Sequence, residues 1–149
     1  MNSSKILWVI VSAFVGGALG IGVYTFHFAK GGSYFSNSST ACANCHIMRE
    51  HLHAWNRSSH KHFAQCNDCH SQDALLAKYF GKAQNGVLHS IAFTTGIHPD
   101  PLQINSFNKE IVEASCRRCH KSFSHVSLAG DTDKIMCTKC HKGVGHMLR

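Results

Sequence analysis

Hydrophobic and polar positions divide the chain near residue 30. Between Lys5 and Lys30, residues 6–29 contain no Lys, Arg, Asp or Glu. As a helix this run would be about 36 Å long, enough to cross the hydrocarbon core of a bilayer with some tilt. Trp8 lies near one end and Tyr24 and Phe28 near the other, where aromatic rings anchor at an interface. The run exceeds the apolar stretch of a secretory signal, and no clear A-x-A site follows it, so an uncleaved anchor is expected. Gly16, Gly17, Gly20 and Gly22 fall inside it. Small residues at this spacing permit close helix–helix approach and self-association of the anchor, although glycine is common in membrane helices in any case.

After Gly31 and Gly32, the polar residues 36–40 read as a short linker. Within the remainder, residues 74–93 have helical periodicity, with Leu76, Tyr79, Phe80, Ala83, Val87 and Ile91 among the apolar positions. Lys78, Lys82, Asn85 and His89 form a second stripe, spaced 4, 3 and 4. Such a stripe is commonly a solvated face. Gly81 and Gly86 weaken the helix locally, and the run His98, Pro99, Asp100, Pro101 is expected to break it.

The cysteines change the picture. The chain has 149 residues, 8 Cys, 13 His and a formal charge of +7. All 8 cysteines fall in four CxxCH runs: Cys42 and Cys45 before His46, Cys66 and Cys69 before His70, Cys116 and Cys119 before His120, Cys137 and Cys140 before His141. CxxCH is the attachment signature of c-type haem. Two thiols at this spacing each add to a vinyl group, and the following imidazole reaches the iron. A zinc site would not require a His after every pair, and a disulfide scaffold would not make four identical pairs. Four covalent haems bring about eight propionate charges, so the loaded protein is near neutral and +7 does not indicate an acidic partner. No long like-charge run marks a nucleic-acid binder, and the 44% apolar content excludes a disordered chain. A barrel or two-domain dehydrogenase would need more chain.

Roughly 110 residues are too few for a conventional core around each haem. The expected fold is therefore mainly α: a single N-terminal transmembrane helix, then a small haem-packed multihaem domain of short helices and loops. Haem is attached outside the bacterial cytoplasmic membrane, which assigns residues 1–5 to the cytoplasm, 6–29 to the membrane and 30–149 to the periplasm. Motif starts at 42, 66, 116 and 137 leave gaps of 24, 50 and 21 residues, suggesting two di-haem modules with an insertion between them. A second His follows a motif His by five residues at His51 and at His125. Four six-coordinate irons need eight axial ligands, and spacing alone cannot choose among the nine non-motif histidines. Met48, two residues after His46, is either an apolar neighbour of the first haem or a competitor for its iron.

The anchor, the first motif of form CxxCHxM (Cys42 to Met48), the four haem sites and the lysine-bearing central helix together resemble the NapC/NirT-type membrane quinol dehydrogenases. The short chain is similar to the nitrite reductase small-subunit branch of that family. Supporting stretches are Ser58-Ser59-His60, Leu75-Leu76-Ala77-Lys78 and Val144-Gly145-His146. The resemblance implies Met48, rather than His46, as proximal ligand of haem 1. It implies His146 opposite His70 at haem 2 and His60 opposite His120 at haem 3. Haem 4, on His141, would take its distal ligand from a partner subunit. Lys82 would lie near the quinol headgroup, and His89 stands where some members carry an aspartate at the open side of haem 1. The implied activity is menaquinol oxidation at haem 1, with electrons passed to a periplasmic multihaem nitrite reductase catalytic subunit. The rival functions are service to another reductase such as a nitrate reductase, a multihaem carrier without a quinol site, and a reductase in its own right.

Overall fold

The computed structural model describes residues 2–122 and 136–146. They fall into two units that divide after Ser36, and every regular element among them is helical.

The first unit is dominated by α1, Ser3–Phe28, an exposed helix with a mean hydropathy of 2.3 over its most apolar stretch. Its 26 residues give a length of about 39 Å, the property expected of a single-pass membrane anchor. Lys30 adopts a left-handed conformation, φ 51°, and turns the chain into a 3₁₀ segment, Gly31–Phe35. A Cβ at Gly31 would overlap the Phe26 ring, so this return requires glycine.

The second unit contains α2 (Ser39–Cys42), α3 (Arg49–Asn56), α4 (Cys66–His70), α5 (Leu75–Thr95), α6 (Ser106–Cys119) and α7 (Cys137–Cys140). Apolar burial contributes little to it. Among the described residues only Ala54 and Ile111 are buried hydrophobic side chains. Polar clamps join the pieces instead. The buried Ser39 receives a hydrogen bond at its hydroxyl from Cys66 N (3.1 Å). Its own hydroxyl and backbone N–H donate to Gln65 Oε1 at 2.8 and 3.1 Å. Gln65 caps α4, where its backbone N–H donates to Asp68 Oδ2 at 2.7 Å. Arg118 of α6 donates to Asp68 O at 2.7 Å and pairs with Asp73 at 2.5 Å.

The helix anticipated over residues 74–93 is present as α5, with Gly81 and Gly86 inside it. Its end differs in cause from the expected Pro break: Gly96, at φ 72°, terminates the helix in a left-handed cap before the prolines are reached. Its orientation also departs from the solvated-stripe alternative. Lys78, Lys82 and Asn85 are half-buried against the unit, whereas Leu76, Phe80 and Val87 are exposed. Partners explain the reversal. Lys78 Nζ donates to Asn37 Oδ1 at 2.7 Å, and Asn85 exchanges amide hydrogen bonds with Asn108 at 3.0 and 2.9 Å.

Helix α6 carries Glu113, a buried carboxylate that begins α7 from outside it. Glu113 accepts from Cys137 N at 2.7 Å, from Thr138 N at 2.9 Å and from the Thr138 hydroxyl at 2.5 Å. Burial alone would raise its pKa, but the hydrogen bonds from Thr138 and Cys137 outweigh it and hold the carboxyl below its ordinary value. A depressed carboxylate contributes stability above its unfolded pKa and loses it as pH falls through the folded value. Glu113→Ala should therefore lower the unfolding free energy of the haem-loaded protein at pH 7 by about 2–3 kcal/mol, and Glu113→Gln by less. The difference between wild type and Glu113→Gln in denaturant titrations should shrink towards zero below the usual carboxylate range.

Candidate haem sites

Each cysteine pair brackets a tight turn or the start of a short helix. The second, third and fourth pairs lie on α4, the end of α6 and α7, and the first spans the end of α2 and the turn after it. This geometry projects both sulfurs to one side with the motif histidine at the helix end, and no disulfide removes any of the eight thiols.

The pairs follow one another in space as they do in sequence. Helix α2 packs on α4, α4 on α6, and α6 on α7. The Cys42 thiol donates to the Cys66 sulfur, holding Cys66 low and Cys42 high while both are free; as thioethers neither titrates. Burial pushes Cys69 up, with Asp68 and Cys119 adding to it, and Cys116 is raised to about 11 by burial together with Cys137 and Glu113. The 50-residue central gap does not part the second and third motifs in space: they are direct neighbours, and α5 lies in the chain between them.

Two pairs of imidazoles lie at separations suited to a shared metal. The His60 and His120 ring centroids are 6.1 Å apart, and those of His70 and His146 are 6.0 Å apart. An ion bound by two opposed imidazoles at ordinary bond lengths separates the centroids by about 6.3 Å. His51, on α3, approaches His146 edge-on at 5.2 Å, too close for a shared ion. Desolvation lowers the protonation of His146, and the surroundings of His70, with His146 and His51 adding repulsion, hold it at about 4, although its ring borders an open gap. Neutral imidazoles are the form that binds iron. Among the described residues no group of three His, Cys, Asp or Glu side chains converges on a bare-ion site. The donor set, the imidazole spacing and the near absence of an apolar interior fit haem c.

The remaining candidates are distributed unevenly. His46 is exposed at the first motif, and Met48 is half-buried on the short 3₁₀ turn His46–Met48. His141 is exposed at the end of α7. Lys82 is half-buried, its ammonium 5.8 Å from the Tyr79 ring centre; burial and Lys78 lower its pKa, while Cys42 opposes them. His89 lies seven residues on, on the same face of α5 but exposed. A cavity of about 20 Å³ lies between Lys82, Lys78, Gly81 and His70; it admits a water but not a quinol ring. The second-histidine repeat was legible at His51, though its place beside His146 was not, and His125 lies outside the described residues.

These features define a c-type cytochrome with an N-terminal helix of membrane-spanning length. No protein-family model matches the chain. It is 36% identical over 129 residues to the cytochrome c-type protein NrfH of Wolinella succinogenes, covering 86% of this chain and 73% of that protein. It is 34% identical over 133 residues to the cytochrome c nitrite reductase subunit NrfH of Nitratidesulfovibrio vulgaris, covering 89% and 82%. A crystal structure of a cytochrome c nitrite reductase NrfHA complex bound to the HQNO inhibitor matches with a TM-score of 0.62 at 32% identity, covering 90% of each chain. The chain belongs to the NrfH family of c-type cytochromes and carries covalently bound haem c.

The imidazole spacing makes a spectroscopic prediction. His60→Ala should convert one low-spin haem to a high-spin or weakly ligated form, visible by electron paramagnetic resonance. His62→Ala, two residues away and exposed, should leave all haem signals unchanged.

Proposed function

We propose that this protein is a membrane-anchored quinol dehydrogenase subunit that oxidises menaquinol and supplies electrons to the catalytic subunit of a cytochrome c nitrite reductase. The observation that carries the reading is the unbroken succession of motif contacts, from Cys42 beside Lys82 to Cys137 beside Glu113. The names of its relatives support the partner, and the related complex with HQNO supports an inhibitor-sensitive function.

Covalent haem, four by motif count, supplies one-electron carriers along that succession. The chain's own residues do the rest. Cys42, Cys45, Cys66, Cys69, Cys116, Cys119, Cys137 and Cys140 tether the groups. His70 with His146 would hold the second group, and His120 with His60 the third. Met48 or His46 would hold the first, with His89 a further candidate there. His141 would hold the fourth, with the reductase subunit completing that site. Residues 1–5 lie in the cytoplasm, 6–29 cross the inner membrane and 30–149 face the periplasm.

Quinol oxidation releases two protons with its two electrons, so the site requires an acceptor or hydrogen-bond partner beside the first haem. Lys82 suits this role. Its desolvation weakens its hold on a proton, and Cys42 of the first motif is close enough to act on its amine electrostatically. His89 offers a second polar group one face-repeat along α5.

Lys82→Leu should reduce the rate at which a menaquinol analogue reduces the purified protein by about tenfold or more, with haem content unchanged. An unchanged rate in stopped-flow absorbance would remove Lys82 from the site. Failure of every quinol analogue to reduce the wild-type protein would sink the dehydrogenase reading. Met48→Ala should alter the spectrum of the first haem alone, and an untouched spectrum would return that iron to His46.

A further inference from the structure

Helix α3 is short and sorts its side chains by face. Met48 at its N-cap, His51, Leu52 and Trp55 are half-buried and Ala54 is buried, whereas Arg49, Glu50, His53 and Asn56 are exposed. Met48, His51 and Trp55 are spaced i, i+3 and i+7, which puts them on one face. His51 and Trp55 each lead to a different imidazole.

The His51 ring stands edge-on to His146, with centroids 5.2 Å apart and planes at 84°. Nδ1 of His146 is buried without a hydrogen bond of normal geometry among the described residues, and the acceptor that acts on this imidazole is the backbone carbonyl of His51. An imidazole that binds a metal through one nitrogen keeps a proton on the other, and the acceptor of that proton fixes the ring's orientation. Trp55 works through the backbone. Its indole N–H donates to Ala64 O at 3.0 Å, and Ala64 N–H donates in turn to His60 O at 2.9 Å. Ser58 N donates to Trp55 O at 2.9 Å, so the turn bearing His60 is tied to Trp55 on both sides.

We infer that α3 aligns the distal ligands of the second and third haems, with His51 a positioning residue for His146 and Trp55 a positioning residue for His60. Neither residue reaches an iron; each acts through the imidazole it holds. Plain core filling does not account for the contacts, because Trp55 directs its single donor to the His60 turn and His51 meets an imidazole edge. Both residues project from one short helix, so two neighbouring haems share a single reference for axial geometry. This alignment rests on the axial roles proposed above for His146 and His60, and adds the residues that set their geometry.

The test uses the haem-loaded full chain in mild detergent, read by electron paramagnetic resonance and redox titration. His60→Ala and His146→Ala first identify the low-spin signals of the third and second haems. Trp55→Phe, which keeps a ring and removes the N–H, should shift the signal that His60→Ala abolishes and leave the other in place. The potential of that haem should rise, by up to tenfold in its reduction equilibrium or about 59 mV. His51→Ala should do the same to the signal that His146→Ala abolishes, and His51→Phe, which restores a ring edge, should return it to the wild-type position. If Trp55→Phe yields no loaded protein, 3-benzothienylalanine at position 55, which keeps the bicyclic shape without the N–H, decides in its place. A wild-type signal and potential in either the position-55 variant or His51→Ala overturns the inference. So does an equal change in every haem signal, which marks a general loss of structure. If His60→Ala and His146→Ala themselves leave all signals in place, the axial reading falls as well, and the two failures are thereby distinguished.

Discussion

Among its described residues the second unit has almost no apolar interior of its own, and the rest of its structure follows from that constraint. Two buried hydrophobic side chains cannot offset the conformational entropy of ordering a chain of this size. Covalent haem would supply the missing interior. Each CxxCH turn would tether a large apolar group through its two thiols, so that the polypeptide has only to orient attachment sites relative to one another. Short helices suffice: α4 and α7 have five and four residues, little more than the motifs themselves.

Orientation is supplied by polar clamps between consecutive motifs. Ser39 and Gln65 join the first to the second, Arg118 and Asp68 the second to the third, and Glu113 the third to the fourth. They are not equivalent energetically. The Arg118–Asp73 pair is solvent-accessible, with Asp73 mostly exposed, and contributes little. Glu113 is buried and accepts three hydrogen bonds, so leaving its partners unpaired is costly. These clamps fix the order of sites that a one-electron relay requires.

Much of this was legible in the sequence because covalent chemistry leaves rigid spacing. The CxxCH runs, the uncharged span before Lys30 and the periodicity of α5 each depend on residues close in the chain. What was not legible depends on residues far apart. Spacing could not select His60 and His146 from nine spare histidines, and their placement opposite His120 and His70 comes from tertiary structure. The motif gaps did not reveal that the second and third motifs, 50 residues apart, are direct neighbours. The end of α5 was misassigned to proline because Gly96 stops the helix first, by adopting a conformation that other residues resist.

The inverted polarity of α5 joins these strands. A helix with two lysines facing its own domain costs desolvation unless the amines find partners, and here Asn37 and the Tyr79 ring provide them. That arrangement removes charge from the outer face and turns Lys82 towards the haem unit, through a single helical register. A rotation of about 100°, one residue's worth, would expose the lysines and turn apolar side chains onto Asn37 and Asn108. Register in α5 therefore couples two properties: an uncharged outer face, and a lysine of weakened basicity turned towards the haem unit.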